Sequence, residues 1–236
     1  MNFSNLPPAS PITPLDVPPG AGAIVFMGGS FDPVHVGHVR FGTLACGELD
    51  KRGTGPTWLA LAPAARSPFK AARPAASDAD RVHMLRLATE GLPNTRVWTD
   101  ELDRAAAGEP SYTIDTLRRA RQWLDMHGNA GTKLHLLIGA DQAAAFHRWR
   151  EAPEILKLAS PLVVGRESVN LERELAGHWD EATMKVWCAG LLQIPELPIS
   201  STMVREAIAA GDYERARPWL HPLVLDYIRE RHLYHA

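Results

Sequence analysis

The chain has 236 residues, of which 45% are hydrophobic and 22% are charged, an ordinary globular composition that excludes disorder of the whole chain. The formal net charge of −2 excludes a protein that coats nucleic acid, although a local basic pocket is compatible with it. The two cysteines lie far apart, so neither a disulfide framework nor a thiolate zinc site is predicted. No apolar run reaches the ~20 residues of a membrane span.

Six prolines fall within residues 1–20, and proline breaks both helices and central strands. This stretch is predicted to be a flexible, partly extended arm, and residues 21–236 are predicted to form one domain. The arm lacks the basic start and the long apolar stretch of a secretory signal, so the expected location is the cytoplasm. No membrane or nucleic-acid partner is expected, and the sequence leaves a homo-oligomer open.

Short apolar runs alternate with longer amphipathic segments along the rest of the chain. The runs predicted to be strands are 23–27, 57–62, 96–98, 134–138 and 162–164. The segments predicted to be helices are 39–49, 78–90, 112–126, 202–210 and 223–231. Because the runs are nearly continuous in hydrophobicity, they are typical of parallel strands that are covered on both faces. The alternation predicts an α/β fold, a Rossmann-like parallel sheet with helices on both faces and a helical C-terminal annex.

The segment 28–38 reads Gly-Gly-Ser-Phe-Asp-Pro-Val-His-Val-Gly-His and joins the first predicted strand to the first predicted helix. Ligands of open α/β sheets bind beyond the carboxyl ends of the strands. Gly28 and Gly29 allow a ligand to approach the backbone closely. If the helix has begun, His35 and His38 share one face of its first turn, beside free backbone N–H groups. This combination predicts a site for anionic oxygens, above all those of phosphate.

Four other interpretations of this segment are possible. It lacks the Gly-x-Gly-x-x-Gly pattern of dehydrogenases and the Gly-x₄-Gly-Lys-Ser/Thr pattern of P-loops, which disfavours both classes. Metal binding by the two histidines is a further possibility, but no third candidate ligand lies at a spacing typical of a metal site. A structural turn with incidental histidines is the remaining alternative.

A second motif stands near the C-terminus, where residues 199–205 read Ile-Ser-Ser-Thr-Met-Val-Arg. Ser200, Ser201 and Thr202 suit the N-cap of a helix, where their amides would point at an anion. Arg205 lies one turn further on and carries a planar fork that matches phosphate oxygens. Taken alone, the same residues also fit a serine-capped surface helix with a solvated arginine.

Together, the two motifs resemble those of the nucleotidyltransferase superfamily with a His-x-Gly-His signature, whose members transfer a nucleoside monophosphate to a phosphate-bearing acceptor. From about residue 23 to residue 234, the chain is similar to bacterial nicotinate-nucleotide adenylyltransferases. The segments that carry this likeness are 67–70 (Ser-Pro-Phe-Lys), 81–85 (Arg-Val-His-Met-Leu), 111–117 (Ser-Tyr-Thr-Ile-Asp-Thr-Leu), 137–141 (Leu-Ile-Gly-Ala-Asp) and 146–149 (Phe-His-Arg-Trp). The chain departs from the family at Phe69, where a histidine is usual, and over residues 165–167.

The resemblance implies that residues 21–236 are a nucleotidyltransferase domain that moves AMP from ATP to nicotinate mononucleotide in NAD biosynthesis, with Mg²⁺ bound through the ATP phosphates. The catalytic residues it implies are His35, His38, Lys70 and Arg205. The predicted ATP-binding residues are Gly28, Gly29, Ser30, Phe31, His35, His38, Gly139, Asp141, Ser200, Ser201, Thr202 and Arg205. The predicted residues for the nicotinate nucleotide are Lys70, Tyr112, Thr113 and Trp149.

Several alternatives stay open at this point. A phosphopantetheine or nicotinamide-nucleotide adenylyltransferase would carry the same two motifs and act on a different acceptor. A non-catalytic nucleotide-binding module would keep the fold without turnover. Asp141 fits a ribose contact and a helix N-cap equally well. Trp149 suits either a stacking platform for the pyridine ring or a half-buried core position. The basic cluster Arg118, Arg119 and Arg121 is predicted to be a solvated helix face.

Overall fold

A six-stranded parallel sheet forms the centre of the protein in the computed structural model, which describes residues 10–65, 74–105, 112–164, 171–195 and 197–235. The strands are β1 Ala23–Gly29, β2 Thr57–Pro63, β3 Thr95–Val97, β4 Lys133–Gly139, β5 Ser160–Val164 and β6 Leu191–Leu192. Their order across the sheet is β3-β2-β1-β4-β5-β6, and every neighbouring pair is parallel. The five predicted strands are confirmed, whereas the two-residue β6 is too short to produce a detectable hydrophobic pattern.

Helices connect these strands. Within the described residues they are α1 Val36–Lys51, α2 Asp78–Ala88, α3 Asp100–Ala105, α4 Thr113–Met126, α5 Ala140–Ala144, α6 Ala152–Leu158, α7 Leu171–Leu175, α8 Glu181–Ala189, α9 Ser201–Ala209, α10 Tyr213–Ala216 and α11 Pro222–Glu230, with 3₁₀ turns at Phe146–Arg148 and Arg217–Trp219. None of the helices in this part of the chain has the length and apolar character that a bilayer crossing needs.

Two hydrophobic cores lie on opposite faces of the sheet, because successive side chains of a strand point to opposite sides. Ile24 and Phe26 of β1 pack into one core, whereas Ala23 and Val25 pack into the other. The second core also holds the buried residues of α9 and α11. The predicted α/β class, with helices on both faces, is therefore confirmed, and the C-terminal helical annex shares a core with the sheet.

The crevice of the fold lies where the strand order reverses, between β1 and β4 at the centre of the sheet. The chain leaves β1 for β2 on one side, and β4 leads to β5 on the other. Phe26 of β1 pairs with Leu136 of β4, so the carboxyl ends of the two strands lie next to each other. Such a reversal point is where open α/β sheets bind ligands. The sheet thus places the ends of β1 and β4 at the position that the sequence predicted for the site.

The prediction of a flexible arm is wrong for residues 10–20, while residues 1–9 lie outside the described part of the chain. Leu15 and Val17 are buried in the same core as Ile24 and Phe26 of β1. The indole N–H of Trp98 donates to the carbonyl oxygen of Thr13 at 2.9 Å. The side-chain amide of Asn129 donates to the carbonyl oxygen of Val17 at 3.3 Å. Prolines prevent regular secondary structure here, but side-chain donors satisfy the carbonyl groups and allow the segment to pack.

Asp100, at the start of α3, anchors this N-terminal segment through its buried carboxylate. It accepts hydrogen bonds from the backbone N–H of Thr13 at 2.9 Å and from the Arg119 guanidinium at 2.6 and 2.7 Å. Arg121 also points inward and donates to the carbonyl oxygens of Asn129 and Thr132. The expectation of a solvated basic face on α4 is therefore wrong for Arg119 and Arg121, because both guanidinium groups satisfy buried acceptors.

His135, in the middle of β4, predicts a dependence of stability on pH. The residue is buried and neither ring nitrogen has a hydrogen-bond partner. Burial, with a smaller effect of the positive charges of Lys133 and Arg52, lowers its pKa from 6.5 to about 4. Between these two values the unfolded chain binds a proton that the folded protein does not, so stability falls as pH decreases through this window.

We expect replacement of His135 by Leu to weaken this acid sensitivity. Leucine has no proton to bind and matches the apolar neighbours of β4, so the loss of unfolding free energy between about pH 7 and about pH 4.5 should shrink by about 2 kcal/mol. Urea unfolding at the two pH values measures the difference. His127→Leu, at an exposed position after α4, is the control. An unchanged difference in His135→Leu would contradict the assignment.

Candidate active site

The carboxyl end of β1 presents an open stretch of backbone. A Cβ atom added at Gly28 would meet no atom within 4 Å, so the space beside this residue is free for a ligand. A Cβ at Gly29 would lie 3.2 Å from the ring of Phe31. Phe31 itself is buried in a left-handed conformation, with φ of 47°, so its backbone rather than its ring is placed to meet a ligand.

Arg81 holds the loop after β1 through hydrogen bonds to backbone carbonyl groups. The residue is completely buried, and its guanidinium donates to the carbonyl oxygen of Ser30 at 2.6 Å and to that of Ala64 at 2.9 Å. These two carbonyl groups follow the ends of the neighbouring strands β1 and β2. One side chain therefore joins both strand ends and fixes the loop that leads to the histidines. From the sequence, Arg81 was expected only as part of a segment that resembles the family, with no role of its own.

The two histidines of the first motif stack at the start of α1. His35 is the N-cap residue, and its ring lies 3.7 Å from that of His38, centroid to centroid, at an angle of 25°. The edge of the Phe31 ring packs on His38 at 5.0 Å. A Cβ at Gly37 would come within 3.0 Å of Nδ1 of His35. The glycine between the histidines thus gives the His35 ring room to stack.

Hydrogen bonding and burial set the protonation of the two rings. The backbone N–H of His35 donates to Nδ1 of His38 at 3.2 Å, so a neutral His38 carries its proton on Nε2 and is a donor at that atom. Burial lowers the pKa of His35 from 6.5 to about 4. His35 is therefore neutral near pH 7 in the free protein and offers an N–H donor rather than a full positive charge.

The second motif opens α9 as predicted and reaches the first motif directly. Ser200 is the N-cap, and its hydroxyl oxygen accepts the backbone N–H of Met203. The Ser201 hydroxyl donates to the carbonyl oxygen of Pro33 at 2.9 Å, and the Arg205 guanidinium donates to that of Asp32 at 2.6 Å. Arg205 also reaches Oγ1 of Thr202 at 3.3 Å. The structure thus brings together two motifs that are 168 residues apart.

A second group of predicted residues meets at the start of α4. Because α4 lies on the connection between the parallel strands β3 and β4, we expect it to run antiparallel to them, with its N-terminus on the carboxyl side of the sheet. Tyr112 is the N-cap residue and its side chain makes no capping hydrogen bond, whereas its carbonyl oxygen accepts the backbone N–H of Asp115 at 3.0 Å. The half-buried Trp149 packs on Phe146, and the guanidinium of Arg150 lies 4.6 Å from the Tyr112 ring centroid. Tyr112 and Trp149 both pack against the same hydrophobic core, and Arg150, the neighbour of Trp149, joins them.

The remaining predicted residues are placed as follows. Gly139 is the N-cap of α5, and Asp141 is exposed in the first turn of that helix, so the N-cap interpretation of Asp141 is wrong and a ligand contact stays a prediction. Lys70, Phe69 and residues 165–167 lie outside the described part of the chain. No group of three or more His, Cys, Asp or Glu side chains that could hold a metal ion occurs within the described ranges. The metal-ligand interpretation of His35 and His38 thus gains no third ligand there.

Known proteins resemble this chain over most of its length. The model of the cytidylyltransferase-like family matches residues 26–207. A Rhodopirellula baltica protein described as "Probable nicotinate-nucleotide adenylyltransferase" is 36% identical over 196 residues, which cover 82% of this chain and 86% of that protein. A Dehalococcoides mccartyi protein with the same description is 31% identical over 215 residues, covering 89% of this chain and 95% of that protein.

A solved structure shares the fold at lower identity. It is the Plasmodium falciparum nicotinic acid mononucleotide adenylyltransferase complexed with NaAD, which superposes with a TM-score of 0.62 at 18% identity over 90% of this chain and 97% of that chain. At this identity the likeness supports the fold alone. The family model and the curated relatives each span most of the sequence, and both motifs converge in the structure; the chain therefore belongs to the cytidylyltransferase-like family and, within it, to the nicotinate-nucleotide adenylyltransferases.

Proposed function

We propose that this protein transfers AMP from ATP to nicotinate mononucleotide and so forms nicotinate adenine dinucleotide and pyrophosphate. The observation that carries the proposal is the contact between the two motifs, in which Arg205 donates to the Asp32 carbonyl oxygen and Ser201 to the Pro33 carbonyl oxygen. These contacts hold a guanidinium and a helix N-terminus against the loop that leads to the two stacked imidazoles. Such a set of donors suits a triphosphate.

The proposed reaction requires alignment of the two substrates and does not require a general base. The phosphate of the acceptor attacks the α-phosphorus of ATP in line, and pyrophosphate leaves from the opposite side. Because the second pKa of a phosphate monoester is about 6, the attacking group is already largely dianionic at neutral pH. Neither a general base nor a covalent enzyme intermediate is required. The protein contributes by positioning the two anionic substrates and by stabilising the developing charge.

Each motif has a distinct role in this proposal. His38 donates from Nε2 to the α-phosphate as that phosphorus becomes five-coordinate, and His35 donates a neutral N–H to a neighbouring phosphate oxygen. Arg205 and the amides of Ser201 and Thr202 hold the β- and γ-phosphates and the departing pyrophosphate. Gly28, Gly29, Ser30 and the Phe31 backbone approach the nucleotide from the end of β1, and Gly139 and Asp141 approach it from the end of β4. Lys70 holds the phosphates of the reacting pair.

Magnesium enters this proposal as part of the ATP substrate. Mg²⁺ keeps several waters and prefers phosphate oxygens over a dedicated protein cage. It neutralises charge on the phosphates when bound, and the protein donors described above act on the remaining oxygens. The cytoplasm, where ATP is abundant, is the proposed location.

The residues near α4 fit the pyridine end of the acceptor. Trp149 offers a flat face for stacking on the ring, an interaction worth about 1 kcal/mol. The backbone amides of the N-cap Tyr112 and of Thr113 lie at the positive end of a 14-residue helix and suit the carboxylate of nicotinate. A neutral carboxamide would leave these anion donors without a charged partner, so the acid should be the preferred acceptor.

An acceptor panel tests the proposal. Release of pyrophosphate from MgATP is measured with nicotinate mononucleotide, nicotinamide mononucleotide and phosphopantetheine at equal concentrations. We expect turnover with the first compound, less with the second and none with the third. Turnover with phosphopantetheine alone would reassign the acceptor, and nucleotide binding without pyrophosphate release from any pair would favour a non-catalytic module.

A further inference from the structure

The carboxylate of Asp32 joins segments that are distant in sequence. Its Oδ2 atom accepts the backbone N–H of Ala75 at 2.7 Å, and its Oδ1 atom accepts that of Ala76 at 3.0 Å. The Tyr234 hydroxyl, 202 residues away, donates to the same Oδ1 at 2.9 Å. Asp32 is buried within the first motif, so these donors compensate for removing its charge from water.

The same residue contacts the second motif. The Asp32 carbonyl oxygen accepts the Arg205 guanidinium at 2.6 Å, and its Oδ2 atom lies 3.9 Å from the same Nη1 atom. A shift of Asp32 would therefore move the carbonyl group to which Arg205 donates. Pro33, the next residue, accepts the Ser201 hydroxyl. The position of Asp32 thus controls how the second motif is held against the first.

Tyr234 is held firmly in its place beside Asp32. The residue follows α11 and has a left-handed backbone, with φ of 66°. Non-glycine residues keep this conformation only where the surrounding structure enforces it, and such residues cluster at functional sites. Burial and then the negative charge of Asp32 raise the pKa of Tyr234 far above its ordinary value of 10. The hydroxyl therefore stays protonated and acts as a donor at every working pH.

We propose that Tyr234 is a positioning residue for the phosphate site, which acts through its hydrogen bond to Asp32. By holding the Asp32 carboxylate, the C-terminal segment keeps the backbone of the first motif where Arg205 and Ser201 bind it. The segment after α11 thus completes the phosphate site, although Tyr234 itself does not contact substrate. This inference rests on the proposed function, because its readout is the use of ATP.

Tyr234→Phe tests the proposal, because it removes the hydroxyl and keeps the ring. Loss of one hydrogen bond to a charged group corresponds to roughly a tenfold change in an equilibrium. We expect KM for MgATP to rise about fivefold to tenfold, while KM for nicotinate mononucleotide changes less than twofold. A loss of folded protein lowers the apparent kcat but leaves KM unchanged, so this split separates positioning from simple destabilisation.

Tyr227→Phe is the matched control. The Tyr227 hydroxyl donates to Oδ1 of Asp80 at 2.7 Å, so the same kind of Tyr–Asp hydrogen bond is removed from the same C-terminal region, but at a carboxylate other than that of Asp32. We expect this variant to leave both KM values unchanged. If the two variants have equal effects on KM for ATP, the positioning role of Tyr234 is disproved.

A double-variant cycle tests whether Tyr234 acts through Asp32. Asp32→Asn weakens the acceptor, so adding Tyr234→Phe to it should raise KM for ATP by less than twofold. Full additivity of the two effects would contradict the proposed route. A wild-type chain without turnover on ATP and nicotinate mononucleotide would refute the proposed function instead. Normal wild-type turnover with unchanged kinetics in Tyr234→Phe would refute only the inference.

Discussion

Replacing His38 by Ala should lower kcat by about 10²–10³-fold, with a smaller change in KM for ATP. A donor aimed at charge that develops in the transition state contributes about 3–4 kcal/mol in a site that excludes water. The hydrogen bond from the His35 backbone to Nδ1 leaves Nε2 as the protonated atom of a neutral His38, so this ring is built as a donor. Because the α-phosphate gains charge only during transfer, the loss should appear in kcat.

Pyrophosphate release at saturating MgATP and nicotinate mononucleotide measures this effect. His127→Ala provides a control, because that histidine is exposed beyond the far end of α4. Thermal unfolding of both variants verifies that they fold, since His38→Ala also removes the acceptor for the His35 N–H. A His38→Ala variant that keeps near-normal kcat would remove His38 from the mechanism.

Replacing Arg205 by Lys should lower kcat/KM for ATP by roughly 10²-fold, although the positive charge is retained. The guanidinium donates to the Asp32 carbonyl oxygen with one arm and approaches Thr202 with another. It therefore contacts both motifs, and its remaining N–H groups are the ones that the proposed function assigns to phosphate. Lysine carries a point charge without a planar fork and cannot make these contacts together.

Steady-state kinetics with varied MgATP measures the change in kcat/KM. Arg217→Lys is the matched control, because Arg217 forms an exposed pair with Glu214, which is worth little. We also expect weaker inhibition by added pyrophosphate in Arg205→Lys, since the same group holds the leaving product. Wild-type values in this variant would show that charge alone is sufficient at this position.

Most of the sheet and five of the eleven helices in the described residues were predicted, because the signals of those elements are local. A buried parallel strand requires a continuous apolar run, and a helix N-terminus requires a residue such as Ser200 to accept a free amide. Short elements escaped detection: β6 has two residues and α5 has five, too few for a period to be seen. The N-terminal segment was misjudged because proline frequency reports the absence of regular structure, not the absence of packing.

The amino-acid sequence by itself determined the fold class, the two motifs and the family, because each rests on the order of neighbouring residues. Only the tertiary structure decided that Asp32 links Arg205 to Tyr234, that Arg81 supports Ser30 from within the core, and that burial keeps His35 neutral. These properties depend on which distant groups share a buried volume. Residues up to 202 positions apart acquire their hydrogen bonds and protonation states only when the chain folds and the two hydrophobic cores form on the faces of the sheet.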